Sequence, residues 1–315
     1  MASIRISKSK ISISFAYDKD MVDDVKAIVP GARWNAGERE WVAPVSAIEG
    51  VLQFANRYKD MDWGIDKSAV ESARAEVKAA LEASKAAAAD IEIPGLGGVL
   101  RPFQKAGVSY IRSHPASFLA DEMGLGKTVQ ALAAVHDKSA YPALVVCPAS
   151  LKLNWKREAE KWLPGKTVTV LDGKKAGESL TGNDVVVINY DIVKNRLTEL
   201  KAIQWKSMIL DESHYIKGEK TLRTKAVLEL AKTCYSSLKL KLALTGTPIL
   251  NEPKELVPQL DFLDKLNSLG GKWRYLTRYC GMEKGRFGME YTPTNTEELH
   301  HQLKASCFVS GSLDD

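Results

Sequence analysis

Four cysteines occur in the 315 residues, Cys147, Cys234, Cys280 and Cys307, widely spaced and with no C-x-x-C pair. That spacing supports neither a zinc site nor a disulfide framework. Histidine is scarce as well, with five in all. No apolar run approaches the length that a bilayer requires, and the N-terminus is polar with no signal-peptide apolar region. A soluble, intracellular protein of the cytoplasm, nucleoid or nucleus, with no membrane partner, is the expectation. Neither sign of charge dominates: the formal net charge of +5 is modestly basic and permits polyanion binding. A hydrophobic share of 45% is ordinary for a globular chain, and the length exceeds one small domain and allows a substantial core.

What the chain does have is Asp121-Glu122-Met123-Gly124-Leu125-Gly126-Lys127-Thr128 and, further along, Asp211-Glu212-Ser213-His214. Small residues at Gly124 and Gly126 let the backbone turn tightly, so that its N–H groups face phosphate oxygens. A helix starting near Lys127 adds its positive N-terminal dipole. Lys127 can reach the β- and γ-phosphates and the Thr128 hydroxyl can ligate Mg²⁺. The paired carboxylates Asp211 and Glu212 can hold that ion and orient water. The chemistry implied is that of ATP with Mg²⁺, with Lys127, Asp211 and Glu212 as the catalytic set. The match to G-x-x-x-x-G-K-[ST] is imperfect, because Asp121 stands where the first glycine belongs. Context supports it nonetheless. Residues 117–120 read as a short buried strand before the loop and 129–135 as a helix after it. Residues 208–210 read as an apolar strand delivering Asp211 and Glu212 at its carboxyl end, where open α/β sheets bind ligands.

Three regions separate along the chain. Residues 1–60 read as a small α+β unit, with strands at 11–17 and 40–42 and helices at 21–29 and 46–56. Residues 61–94 read as a helical connector, since 67–90 is rich in Ala, Glu and Lys and Pro94-Gly95 breaks it. Residues 95–315 read as an α/β lobe with a doubly wound, mostly parallel sheet. Its apolar strands fall near 117–120, 143–147, 167–171, 185–189, 208–210 and 240–244, and a helical insertion follows. Trp155 and Trp162 share one helix face and are expected to pack against the sheet rather than stack on bases.

Taken in order, these blocks resemble the first, RecA-like motor lobe of a Swi/Snf-type superfamily-two DNA translocase, and within that group the HARP-domain annealing-helicase proteins. Leu100-Arg101-Pro102-Phe103-Gln104 resembles the family's adenine-reading segment, which implies Gln104, with Arg101 beside it, at the nucleotide. Val145-Val146-Cys147-Pro148-Ala149-Ser150-Leu151, followed by Asn154-Trp155, resembles a motif that touches the DNA backbone. Asn189-Tyr190-Asp191 is similar to a further DNA-side motif, and Leu244-Thr245-Gly246-Thr247-Pro248 with Asn251 to the motif that couples hydrolysis to movement. The unit at 1–60 is similar to a HARP domain in its spacing of Tyr17, Ile28-Val29-Pro30, Ala32-Arg33-Trp34 and Trp41-Val42-Ala43-Pro44, and 273–280 resembles the corresponding insertion.

The resemblance implies DNA as partner, as duplex, fork or single-strand junction. It implies backbone contacts from Ser150, Lys152, Lys217, Lys220 and Asn251, and junction preference from Lys26, Arg33, Trp34 and Arg39. For the lysines the other reading is a solvated face, and for Trp34 and Trp41 the core of a miniature domain. The resemblance also implies a second RecA-like lobe, in cis or in trans, beyond the position of Cys307-Phe308-Val309, where this chain reads Ser310-Gly311-Ser312-Leu313-Asp314-Asp315. Arginines of that lobe stabilise charge on the γ-phosphate, so weak hydrolysis by these residues alone is expected. Two function classes stay open. One is an ATP-dependent DNA translocase or fork remodeller acting in DNA repair, present as its N-terminal half or one subunit. The other is a non-motor DNA-structure-binding module with a nucleotide-responsive lobe. An RNA helicase is a third reading, disfavoured by the Swi/Snf-like Asp-Glu-Ser-His and 100–104 blocks.

Overall fold

The computed structural model describes residues 2–173, 180–246, 252–285 and 288–310. Strands β1 (Ser3–Ile6) and β2 (Ile11–Ser14) lead into helix α1 (Lys19–Ile28), strands β3 (Arg33–Asn35) and β4 (Glu40–Ala43), and helices α2 (Ile48–Arg57) and α3 (Lys67–Ala83). The four strands form one antiparallel sheet in the order β1-β2-β4-β3. The Asp18 side chain caps α1 by accepting from the Met21 N–H at 2.9 Å, which sets where that helix begins. Ile11, Ile13, Val25, Val51 and Phe54 are fully buried beneath the sheet's helices. Helix α3 adds Val70 and Ala73 to the same core. The stretch expected to be a connector is thus in large part a packed helix, because its apolar stripe has a hydrophobic surface to cover.

The α/β unit starts at α4 (Pro102–Ser113) and β5 (Ala116–Leu119). It continues through α5 (Lys127–Val135), β6 (Ala143–Cys147), α6 (Lys152–Trp162), β7 (Val168–Val170) and β8 (Val185–Asn189). Then come α7 (Tyr190–Val193), α8 (Leu197–Lys201), β9 (Ser207–Leu210), α9 (Leu222–Thr233), β10 (Leu240–Leu244) and α10 (Val257–Phe262). After α11 (Lys272–Tyr279), β11 (Glu283–Gly285), β12 (Gly288–Glu290) and α12 (Thr296–Lys304), the short strand β13 (Phe308–Val309) joins the sheet. Its seven strands run parallel in the order β13-β5-β10-β9-β6-β8-β7. Every residue of β6, β8, β9 and β10 is buried, which is why those strands read as mostly apolar runs, with Lys241, Ser207 and Asn189 the buried polar residues among them.

The chain does not divide where the sequence suggested. One compact unit holds residues 2–82, 252–254 and 265–306, and the α/β unit holds 83–246, 255–264 and 307–310. The expectation that all of 95–315 belongs to one lobe is therefore corrected, and the reason lies in specific pairings. Arg278 Nη1 donates to Ala27 O at 2.6 Å, satisfying a carbonyl that the end of α1 leaves without an intrahelical partner. Gln302 Nε2 donates to Ser46 O at 3.2 Å. Gly31 approaches Ser268 so closely that a Cβ would lie 2.2 Å from its carbonyl oxygen. Such pairings join stretches far apart in sequence and have no local periodicity to announce them. Among the described residues no helix is long and apolar enough to cross a membrane.

Candidate nucleotide site and nucleic-acid surfaces

Strands β5, β10 and β9 are neighbours in that order, so the segments leaving their carboxyl ends meet at one edge of the sheet. Those segments carry Asp121–Thr128, Thr245-Gly246 and Asp211-Glu212. Gly124 (φ 92°) and Gly126 (φ 79°) occupy the left-handed region, and Gly126 is the N-cap of α5. Lys127 and Thr128 are the first two residues of that helix, where backbone N–H groups have no intrahelical acceptors. The Lys127 ammonium donates to Asp121 O at 2.7 Å and Glu122 O at 3.1 Å, folded over the hollow of its own loop. A Cβ at Gly246 would lie 3.4 Å from Lys127 Nζ, so the block after β10 abuts the loop.

Gln104 bridges α4 to this loop. Its Oε1 accepts from the Arg101 backbone N–H at 3.0 Å and its Nε2 donates to Leu125 O at 3.2 Å. Alanine at Gly126 would bring a Cβ within 2.6 Å of that amide nitrogen. Arg101 is exposed beside it. Asp121, the residue in place of the missing glycine, has its own partner: buried Gln130 donates to its Oδ2 at 2.7 Å. Gly107 on α4 makes room, since a Cβ there would fall 1.9 Å from Gln130 Oε1. Sequence reasoning missed Gln130 and Gly107; the available signal was one polar side chain inside the otherwise apolar helix α5.

Asp211 is nearly buried and held from three sides. Trp155 Nε1 donates to its Oδ2 at 2.7 Å, the Glu212 N–H donates to its Oδ1 at 3.0 Å, and the Tyr190 hydroxyl donates to its backbone carbonyl at 2.8 Å. Burial pushes the Asp211 carboxyl above its ordinary range, with the Trp155 N–H opposing the shift. A divalent cation alongside would favour the carboxylate again. Glu212 is in the left-handed region (φ 48°, ψ 56°), a conformation that costs a non-glycine residue roughly 1–2 kcal/mol. Its carboxylate lies 3.3 Å from His214 Nδ1. Ser213 is tied down separately, donating to Gln259 Oε1 at 2.6 Å.

These residues fit a magnesium nucleotide. Left-handed glycines at 124 and 126, followed by helix-start N–H groups without intrahelical acceptors, suit a phosphate. Among the described residues no group of three or more His, Cys, Asp or Glu could hold a metal. The pair Thr128 and Asp211 suits Mg²⁺, which keeps several waters and takes phosphate oxygens besides one or two protein ligands. Cys147 takes no part: burial pushes its thiol up to about 12.

The residues expected at DNA are spread over two surfaces. Ser150 is exposed after β6, and Lys217 and Lys220 are exposed after β9, the neighbouring strand. Lys217 pairs with Glu255 at 2.7 Å. Lys152 is half-buried and donates to Leu171 O at 2.9 Å, so its ammonium already serves the end of β7. Asn251 lies outside the described residues. Tyr190 does not fit the DNA-side reading of its motif, because it is 1% exposed behind Asp211. In the other unit Lys26, Arg33 and Trp34 line one cleft together with Trp41. Arg39 sits apart from that lining, in the β3–β4 turn with φ 54°. Trp155 is fully buried, as its helix-face spacing suggested, and Trp41 is buried beside half-exposed Trp34.

Comparison with known proteins completes the picture. The SNF2-related domain matches residues 34–285. The chain is 31% identical over 304 residues to the SWI/SNF-related matrix-associated actin-dependent regulator of chromatin subfamily A-like protein 1 homolog of Caenorhabditis elegans, covering 92% of this chain and 42% of that one. It is 34% identical over 219 residues to the DNA annealing helicase and endonuclease ZRANB3 of Mus musculus, covering 65% of this chain and 20% of that protein. The solved Sulfolobus solfataricus SWI2/SNF2 ATPase core in complex with dsDNA matches with a TM-score of 0.60 and 30% identity, over 71% of this chain and 47% of that one. The chain therefore spans less than half the length of each of these relatives. The family match covers most of the sequence, and the chain belongs to the SNF2-related family, its α/β unit having the RecA-like fold of the SWI2/SNF2 ATPase core.

Proposed function

We propose that the chain binds Mg²⁺–ATP at the shared edge of β5, β10 and β9, binds DNA, and forms one half of an ATP-dependent DNA translocase that remodels forked DNA. The observation that carries this reading is that the loop of Gly124, Gly126 and Lys127 leaves β5 and the Asp211–Glu212 pair leaves β9, the two strands that flank β10, so both stand at the same carboxyl edge of the sheet. Lys127 exchanges its loop carbonyls for β- and γ-phosphate oxygens. Thr128 and Asp211 hold the cation, with Asp211 aimed by Trp155. Glu212 orients or deprotonates the attacking water, and Gln104 fixes the loop and faces the adenine. Bound Mg²⁺ supplies neutralisation of phosphate charge. Ser150, Lys217 and Lys220 contact the duplex backbone, while Lys26, Arg33 and Trp34 favour a fork or junction.

A second RecA-like lobe, in the same polypeptide or a partner, completes the cleft and supplies the charge that stabilises the transition state. ATP turnover with and without duplex DNA, measured on residues 1–315 alone and with a second lobe supplied, tests the proposal. Turnover that rises by orders of magnitude with both is expected. Nucleotide and DNA binding with no turnover in any combination would favour a non-motor binding module instead.

A further inference from the structure

The cleft beside Trp34 is built from two stretches that the sequence reading treated separately. It measures about 640 Å³ and takes Lys26 from α1, Arg33 and Trp34 from β3, Trp41 from β4, and Trp273 and Arg274 from α11. Helix α11 buries Tyr275, Leu276 and Tyr279 on its inner side, so Trp273 is forced outward and is 69% exposed. Trp34 is 51% exposed and leans edge-on against Trp41, with ring centroids 5.7 Å apart. Lys26 lies 5.9 Å from the centre of the Trp41 ring. Two large indoles presented to solvent in one concave site call for a flat, apolar-faced ligand.

The charges around the rings narrow the choice. Lys26, Arg33 and Arg274 face Asp23 as the acid in the lining, and Lys26 approaches Asp23 at 3.7 Å. Arg278, also in the lining, is committed to Glu298 and Ala27 O, and half-buried Arg274 donates to Lys26 O, so Lys26 and Arg33 are the cations left for a ligand. A cationic wall repels methylammonium ligands, which aromatic cages take when carboxylates surround them. It attracts a phosphodiester. A base stacks on an indole only if its face is uncovered, which excludes the interior of a duplex.

We propose that this cleft holds one unpaired nucleotide of a nucleic-acid strand, its base stacked on Trp273 and Trp34 and its phosphate held by Arg33 and Lys26. The proposal deepens the fork-recognition reading above and rests on it. It adds α11, far along the chain, as half of the recognition site, and it names an unpaired nucleotide as the ligand.

The probe is a short oligothymidylate, titrated by fluorescence anisotropy against the full chain, Trp273→Ala and Trp34→Ala. Base–aromatic stacking is worth enough that each variant should bind roughly ten- to hundredfold more weakly. A strand of the same length with abasic sugars should bind the unaltered protein as weakly as oligothymidylate binds Trp273→Ala, and should not distinguish the two proteins. The abasic strand needs no variant, so a folding defect cannot mimic its result. Equal affinity of the unaltered protein for the two strands, or unchanged oligothymidylate binding by Trp273→Ala, would overturn the proposal and leave the cleft to a protein partner. Blunt-duplex affinity is read in parallel and should stay within about twofold, because duplex contacts made by backbone charge do not need the indoles. A parallel loss there would also count against a stacked base. Failure of the unaltered protein to bind duplex refutes the broader DNA reading, yet the single-strand comparison still decides the cleft.

Discussion

The indole N–H of Trp155 donates to Oδ2 of Asp211 at 2.7 Å, although the two residues are 56 positions apart and both are buried. A core tryptophan on α6 thereby aims the carboxylate proposed to hold the metal. Trp155→Phe removes the donor together with the pyrrole part of the indole, leaving a buried acceptor unsatisfied beside a cavity at a combined cost of about 2–5 kcal/mol. Denaturant unfolding should report that loss. The Mg²⁺ concentration needed for half-maximal nucleotide affinity should also rise severalfold. A variant with wild-type stability and an unshifted Mg²⁺ dependence would show that the contact orients nothing.

Gly107 and Gln130 make a second test of how the loop is held. A methyl group at position 107 meets Gln130 Oε1 at 1.9 Å, and Gln130 in turn anchors Asp121. Gly107→Ala should therefore cost about 1–3 kcal/mol of overpacking and weaken nucleotide affinity as the loop loses its anchor. Loss of stability with unchanged affinity would separate the anchor from the site.

What was legible in the sequence followed from local chemistry. The tight turn at Gly124 and Gly126 and the helix starting at Lys127 were legible because left-handed backbone calls for glycine just before a helix start. The apolar strands β6, β8, β9 and β10 declare a parallel sheet because both faces are covered. Strand β3, three residues long, is too short to establish alternation; β1 was missed although Ser3–Ile6 alternates as β2 does. The partnership of Arg278 with α1 was missed because it joins residues 251 positions apart. Trp155 was read as core, which it is; that its one polar atom faces Asp211 depends on β6 and β9 being neighbours, and topology is invisible to spacing.

Arg278 links α12 and α1 within the first unit, pairing with Glu298 and donating to Ala27 O. Arg278→Ala leaves the partly buried Glu298 carboxylate with the Tyr279 hydroxyl but no paired cation, and takes the donor from the Ala27 carbonyl, a loss of about 1–3 kcal/mol after allowing for the carboxylate's exposure. Hydrogen exchange should quicken both at the end of α1 and in α11. Faster exchange in α11 alone would mean that the two stretches do not stabilise each other. For the same reason, deleting residues 1–60 uncovers the surface on which residues 265–306 pack, so such a deletion reports on folding as well as on DNA recognition.

Glu212→Gln keeps the size of the side chain and removes its charge. Nucleotide affinity should be retained within about threefold, while turnover in the completed two-lobed enzyme falls at least a hundredfold, because the carboxylate acts on water rather than on phosphate. A matching fall in affinity would place Glu212 among the binding groups.

Calorimetric titration of Mg²⁺–ATP into residues 1–315, compared with Lys127→Ala, addresses the nucleotide site most directly. The unaltered chain should bind one nucleotide per chain, and the variant should bind at least tenfold more weakly, since it loses the ammonium that donates to the loop carbonyls of Asp121 and Glu122 and would exchange them for phosphate oxygens. Equal affinity in the two proteins would contradict the assignment of the phosphate site to the loop between β5 and α5.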